Sequence, residues 1–249
     1  KIMAYPYISS NICGSLGEQL FQIANVFKFV KESRMNKIRR KVVFKKNENR
    51  YWDTIFNGIF KIYDEGVYNN IDFLELQDNL DNYYDNKSNI KLTNKCNIFH
   101  ENIKERMVRI IYNDEELMYG AYYKYRNILD HFGEDTTDND MVSIEYDNNL
   151  DKEYYINGVE HVGIKNLVIF CKNKDECNTI FSNDKYNIYY VKSMDAENEI
   201  ILFSMFKNNI ISGSMNNLWA SYVSHYDNKI VVAPKIMKDC GYKNITTYL

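Results

Sequence analysis

The chain has 249 residues and a formal charge of −3, with a pI near 5.9, so no overall positive field draws it to nucleic acid. Hydrophobic residues make up 45% and aromatic ones 15%, with two prolines and ten glycines; this excludes a low-complexity chain and allows one large or two small packed domains. No apolar run reaches the length of a membrane span, and no signal peptide is visible.

In chain order, a short strand-like segment around Ile8–Ile12 leads into a glycine turn, Gly14-Ser15-Leu16-Gly17, and then an amphipathic helix. Leu20, Ile23, Ala24 and Phe27 recur at helical spacing, with Val30 one turn on. Gly14 and Gly17 let the backbone turn tightly and approach a ligand, to which the helix start would present its N–H groups. A second strand, Lys41–Phe44, makes this the opening of an α/β layer. The basic cluster Lys37–Lys41 with Lys45 and Lys46 reads as a solvated face.

Further on, Tyr51–Phe56 with Ile59 and Phe60 reads as a helix with an aromatic face, and Asp72–Leu76 and Ile98–His100 read as strands. Asp114–Leu129 reads as a helical region broken near Gly120. The acidic stretch Gly133–Asp140 is the clearest change of composition and separates an N-terminal domain, 1–132, from a C-terminal one, 141–249. Beyond it strands and helices alternate. Strands are expected at Val142–Ile144, Asn166–Cys171, Tyr186–Val191, Ile210–Ser212 and, as the last one, Ile230–Ala233. Helices are expected at Lys152–Val162, Lys174–Phe181, Ala196–Lys207 and Leu218–Ser224. Such alternation implies a doubly wound parallel sheet. Ligands of these sheets sit outside the carboxyl ends of the strands, which points to Glu145–Asp147, Cys171–Asn173, Lys192–Met194 and Ser212–Asn217.

Five cysteines without a Cys-x-x-Cys pair favour reduced thiols in a cytosol-like compartment, or ordinary buried residues, with Cys13 beside the glycine turn as the thiol to watch. The four histidines, His100, His131, His161 and His225, lack ligand spacing, so neither a metal nor another cofactor is expected. An Asp-x-Asp triplet, a P-loop and a serine nucleophile elbow are all absent. Richness in Asn, Lys, Ile and Tyr matches the coding bias of an AT-rich genome. The sequence begins at Lys1 without an initiator methionine, as a trimmed chain or one domain of a longer protein would.

The wording of the glycine turn, Gly14-Ser15-Leu16-Gly17-Glu18-Gln19-Leu20-Phe21-Gln22-Ile23-Ala24, resembles the N-terminal signature of the family 11 glycosyltransferases, the α-1,2-fucosyltransferase-like enzymes, which usually carry Asn at the place of Glu18. Leu202–Ser214, followed by Leu218–Tyr222 and Lys229–Lys235, resembles that family's C-terminal block, and Met118–Tyr123 with Tyr125 resembles its Gly-Tyr-Phe-Gln-Ser segment. The resemblance implies two Rossmann-like domains facing a cleft, the GT-B architecture. It also implies metal-independent, inverting sugar transfer from a nucleotide sugar to a glycan or other acceptor. The acceptor would then bind near Gly14, Gly17, Glu18 and Gln19, and the donor near Ser212, Ser214, Asn216, Asn217 and Trp219, with Glu199 on donor hydroxyls.

The family's His-x-Arg-Arg-x-Asp motif is missing. Its place reads Met141–Asp147, with an acid, Glu145, where cations belong. Losing two charge-assisted bonds, each worth about 1.5–3 kcal/mol, damages diphosphate binding unless other cations substitute. Lys172, Lys192 or Lys174 are the candidates for that substitution, and Asp147 or Glu145 is the candidate base for the acceptor hydroxyl. The competing expectation is a glycosyltransferase-like binding or assembly module without catalysis.

Overall fold

The computed structural model describes residues 7–10, 12–35, 41–42, 44, 51, 54–56, 71–76, 82–85, 91–93, 101, 104–105, 107–109, 115–182, 184–192, 194–240, 242 and 244–249. The chain divides into two compact units, Lys1–Met107 and Val108–Leu249.

In the N-terminal unit, β1 (Tyr7–Ser10) leads through the glycine turn into α1 (Leu16–Met35), followed by β2 (Lys41–Val42). β3 (Ile71–Leu76), β4 (Asn82–Asp85) and β5 (Lys91–Thr93) complete a sheet of order β2-β1-β3-β4-β5. β1 is parallel to β2 and β3, as a strand–helix–strand opening requires, whereas β3, β4 and β5 pair antiparallel. Of the helix expected around 51–60, Thr54–Phe56 is a turn, in which Phe56 N donates to Tyr51 O at 2.7 Å. Trp52, Asp53 and the residues from Asn57 to Phe60, and the strand expected at Ile98–His100, lie outside the described residues.

α1 departs from a simple amphipathic helix: besides Leu20, Ile23, Ala24 and Val30, its polar residues Gln19, Gln22 and Asn25 are also buried. Buried amides need partners, and these bond to nearby backbone. Gln19 Nε2 donates to Gly14 O at 2.8 Å, and Asn25 Nδ2 donates to Phe21 O at 2.9 Å. Gln22 exchanges two bonds with Cys13: its Oε1 accepts from Cys13 N and its Nε2 donates to Cys13 O, both at 2.9 Å.

The C-terminal unit carries α2 (Glu115–Phe132), then β6 (Met141–Glu145), α3 (Lys152–Val162), β7 (Asn166–Phe170), α4 (Lys174–Asn178) and β8 (Asn187–Val191). After these come α5 (Ala196–Ser204), β9 (Asn208–Ile210), α6 (Met215–Val223), β10 (Ile230–Ala233) and β11 (Thr247–Tyr248). All six strands are parallel, in the order β11-β10-β9-β6-β7-β8. Counted from β6, that is the Rossmann order, with its reversal between β6 and β9. The C-terminal unit is therefore a doubly wound α/β domain.

The two faces follow from the two-residue period of a strand. Val142 and Ile144 of β6 and Leu167 and Ile169 of β7 pack with Tyr154, Tyr155 and Val159 of α3. On the other face Phe170 meets Phe203 of α5 and the following Phe206, at ring distances of 5.1 and 6.3 Å. Local signals set the ends of α3: the Asp151 carboxylate accepts from Glu153 N at 3.0 Å, and Gly163, at φ +74°, closes the helix by donating its N–H to Val159 O.

Several sequence expectations change here: the strand expected at Ile210–Ser212 is Asn208–Ile210, the helix expected at Lys174–Phe181 ends at Asn178, and the one expected from Leu218 starts at Met215. α2 runs unbroken through Gly120, because α2 packs on α5 with Gly120 beside Asn198, leaving no room for a larger residue without movement. α5 stops at Ser204, short of Lys207: the Ser204 hydroxyl bonds back to Ile201 O at 2.7 Å, and the chain turns to bury Phe206. β11 is an additional strand beyond Ile230–Ala233, held on β10 by the Val232–Thr247 and Ala233–Tyr248 pairs.

Candidate functional site

In a sheet of this order the crevice opens between the carboxyl ends of β6 and β9. β6 ends in Glu145, which follows the alternation of Ser143 and so lies on the α5–α6 side. Its carboxylate accepts from Ser212 N, just beyond β9, at 2.8 Å. Gly213 turns the loop at φ +107°, a conformation other residues rarely adopt, with Met237 Sδ 3.0 Å from where a Cβ would stand. Ser214 then caps α6, its hydroxyl accepting from Asn217 N at 3.2 Å.

Asn217 is fully buried and donates through Nδ2 to Glu199 Oε1 of α5 at 3.4 Å. Burial pushes the Glu199 carboxyl above the ordinary glutamate range, and the Glu145 charge pushes it further; the Asn217 bond and the Lys172 ammonium pull it back. The crevice thus gathers Glu145, Glu199, Ser212, Ser214 and Asn217, with Lys172 felt from the loop after β7. Asn217 Oδ1 is buried without a protein partner.

The remaining candidates of this unit make other contacts. Asp147 closes the turn into α3: its Oδ1 accepts from Asn149 N at 2.9 Å and Asn149 Nδ2 at 2.8 Å, while its backbone is held by Tyr155 Oη. Lys192 is exposed after β8, two strands from the reversal. Lys174 lies over the Tyr190 ring at 5.0 Å. Asn216 is half-buried in the first turn of α6, and Trp219 is a fully buried core residue edge-on to Tyr222 at 5.7 Å.

In the N-terminal unit, Gly14 takes φ +91° and Gly17 is buried. The Glu18 carboxylate accepts from Ser15 N at 2.6 Å and Ser15 Oγ accepts from Glu18 N at 3.4 Å, a reciprocal capping box. These two N–H groups of the helix start are therefore satisfied by the chain itself. Gln19 is fully buried, and its Oε1 has no protein partner. The Ser-x-x-Glu spacing was the sequence signal for this cap.

Sequence reasoning missed Tyr154, whose hydroxyl donates to Ile211 O at 2.6 Å and lies 3.2 Å from Val232 O, tying α3 to the two strands beside the crevice. The signal was the tyrosine pair on the apolar side of an otherwise polar helix. Among the described residues, no group of three or more His, Cys, Asp or Glu is placed to hold a metal ion, and no helix is long and apolar enough to cross a membrane.

No protein-family model matches the chain, and no curated protein matches it in sequence. Among solved structures it is similar to the selenomethionine fucosyltransferase NodZ from Bradyrhizobium, with 10% identity, 88% of this chain and 92% of that one covered, and a TM-score of 0.48. A second is KpsC of Thermosulfurimonas dismutans, a β-Kdo 2,7 transferase: 10% identity, 92% and 78% covered, TM-score 0.28. A third is a dipicolinate synthase chain from Bacillus halodurans: 13% identity, 98% and 88% covered, TM-score 0.25. With TM-scores below 0.5, none of the three adds to what the strand order itself shows.

Proposed function

We propose that the chain is a glycosyltransferase-like protein of GT-B type, whose C-terminal unit takes a nucleotide sugar at the β6–β9 reversal. The observation that carries the reading is the meeting of Glu199, Asn217, Ser212 and Ser214 with Glu145 at one place in the fold. All but Glu145 are positions that the family resemblance assigns to the donor. In this reading Glu199 and Asn217 hold donor hydroxyls, and the start of α6 with Lys172 faces the leaving diphosphate. Glu145 or Asp147 is the base for the acceptor hydroxyl. Gly14, Gly17, Glu18 and Gln19 shape the acceptor side. The reaction so described uses no metal.

One observation favours a second reading, a module that has lost catalysis. Ser212 N–H, well placed to meet a phosphate, is already held by the Glu145 carboxylate, and Glu199 adds a second acid to the crevice.

The test is a binding screen by thermal shift and saturation-transfer NMR with GDP-fucose, GDP-mannose, UDP-glucose, UDP-N-acetylglucosamine, dTDP-rhamnose and the bare diphosphates. Saturable binding of one nucleotide sugar, weakened in Lys172→Ala, is the expected result, and turnover is then sought with acceptors. If folded protein binds none of them, while Glu145→Gln gains affinity for a bare diphosphate, the inactive module is the better description.

A further inference from the structure

The hydrogen bonds of the crevice leave acceptors over. Ser212 N is given to Glu145 Oε2 at 2.8 Å and Asn217 N to Ser214 Oγ at 3.2 Å. Asn217 Nδ2 is given to Glu199 Oε1, at a long 3.4 Å. On β9, Asn209 Nδ2 goes to Ser143 Oγ at 2.7 Å and Phe206 O at 3.3 Å. The other ends of both amides, Asn217 Oδ1 and Asn209 Oδ1, are buried and have no protein donor. The second oxygens of Glu145 and Glu199 receive no hydrogen bond or ion pair among the described residues. Lys172, exposed, acts on Glu199 from a distance and bonds to neither carboxylate.

Folded chains rarely leave a buried amide carbonyl without a donor, and carboxylates that share a crevice repel each other. We propose that the sugar taken up here carries a primary ammonium group, held by Glu145, Glu199 and the Asn217 carbonyl, so that the ligand is an amino sugar, as donor or as acceptor. This rests on the nucleotide-sugar reading, and puts an amine at Glu199 where that reading needed only a hydroxyl.

The choice follows from donor and acceptor chemistry. A hydroxyl brings acceptor lone pairs along with its proton, and a phosphate brings acceptors alone. An ammonium brings only donors, and the opposite charge. It also relieves the repulsion that helps to hold the Glu199 carboxyl above its ordinary range. A divalent metal ion is a poorer match, since Ca²⁺ gathers many oxygens and Mg²⁺ demands an octahedron. Here one oxygen of each carboxylate is already engaged, and no third His, Cys, Asp or Glu stands with them among the described residues.

The test is an NMR titration of the full ¹⁵N-labelled chain at neutral pH with D-glucosamine, N-acetylglucosamine, UDP-glucosamine and UDP-N-acetylglucosamine. Acetylation removes the charge and keeps the sugar. The amines are expected to bind at least about tenfold more tightly than their N-acetyl partners, the worth of one charge-assisted hydrogen bond. They should also shift the Ser212 amide and Asn217 side-chain signals. Glu145→Gln and Glu199→Gln keep an oxygen for Ser212 N and Asn217 Nδ2 but remove one charge each, so the preference should fall toward parity in both.

A preference shown by UDP-glucosamine alone assigns the amine to the donor, and one shown by free glucosamine alone assigns it to the acceptor. If in the second case no nucleotide sugar binds, the nucleotide-sugar reading falls while the amine site stands. Nucleotide sugars that bind equally well with and without the charge keep that reading and overturn the inference. Absence of binding by every ligand overturns it too, as does amine binding that moves neither signal or a preference that survives in both variants. Displacement of the amine by Mg²⁺ or Ca²⁺ would assign the acceptors to a metal and overturn it as well.

Discussion

Replacing Tyr154 with Phe tests the tie between α3 and the crevice. The ring keeps its packing, so the change removes one hydroxyl that donates to Ile211 O at 2.6 Å in a buried setting. A buried hydrogen bond contributes about 0.5–1.5 kcal/mol net, and leaving its carbonyl partner without a donor costs about 1–3 kcal/mol. A loss of about 1–2 kcal/mol is therefore expected. In a chain of this size each kcal/mol moves the melting temperature by about 2–4 °C, so Tm falls by about 2–8 °C. Urea denaturation followed by far-UV circular dichroism should show a lower midpoint at unchanged slope, since the surface exposed on unfolding stays the same. Because Ile211 precedes the Ser212–Ser214 loop, amide exchange there should also quicken. A destabilisation below about 0.3 kcal/mol, with exchange unaltered, would refute the argument that this hydroxyl anchors the loop.

Glu199→Gln is expected to gain stability over the parent as pH rises. The folded carboxyl is held above its ordinary range by burial and by Glu145, so its contribution is full in acid, below the unfolded value, and is lost as pH rises through the folded value. Urea midpoints across a pH series should therefore diverge toward neutral pH and converge in acid; a constant offset would rule out this origin. Gly14→Ala should destabilise the N-terminal unit by about 1–2 kcal/mol or more, because a left-handed residue is strained and its Cβ would stand 2.5 Å from Glu18 Oε2, breaking the cap on Ser15 N. Unchanged thermal melting would remove that account of the turn. Gly120→Ala should raise stability by about 0.5–1 kcal/mol, since α2 is continuous there and the nearest atom to a new Cβ, Asn198 Oδ1 at 2.9 Å, is the far end of a side chain whose one bond, from Nδ2 to Asp195 Oδ2, is long at 3.2 Å. A decrease would mean that Asn198 has nowhere to go.

Much of the C-terminal unit was legible because its signals are local. Asp151 and Gly163 bracket α3 by capping chemistry, and the run Leu167–Phe170 is apolar on both faces, as a covered central strand must be. A glycine reads as a breaker in sequence, yet Gly120 marks a close approach instead; only the neighbouring helix distinguishes the two. Two-residue β11 is too short for any period to show. At the candidate site the individual residues were legible and their pairings were not. Glu145 and Ser212 are 67 positions apart, and no spacing rule announces that a carboxylate read as a base will be found accepting a backbone N–H. The same holds in α1, where Gln19, Gln22 and Asn25 have the pattern of a wetted stripe but are buried against their own loop and helix backbone.

The shape of the six-stranded sheet bears on how the protein stays dispersed. An outermost strand with free backbone groups is a template on which another chain can add itself, and the usual defences are shortness and cover. β11 offers only Thr247 and Tyr248, too little ladder to guide a newcomer, while it shields the apolar run Val231–Ala233. At the opposite margin, the ring of His131 from α2 takes Ile188 O of β8 at 3.2 Å, and Lys124 lies over the Tyr189 ring. The two-residue strand and the helix that crosses the far margin thus act as guards against self-assembly, and β10 would become a nucleation surface if β11 were peeled away.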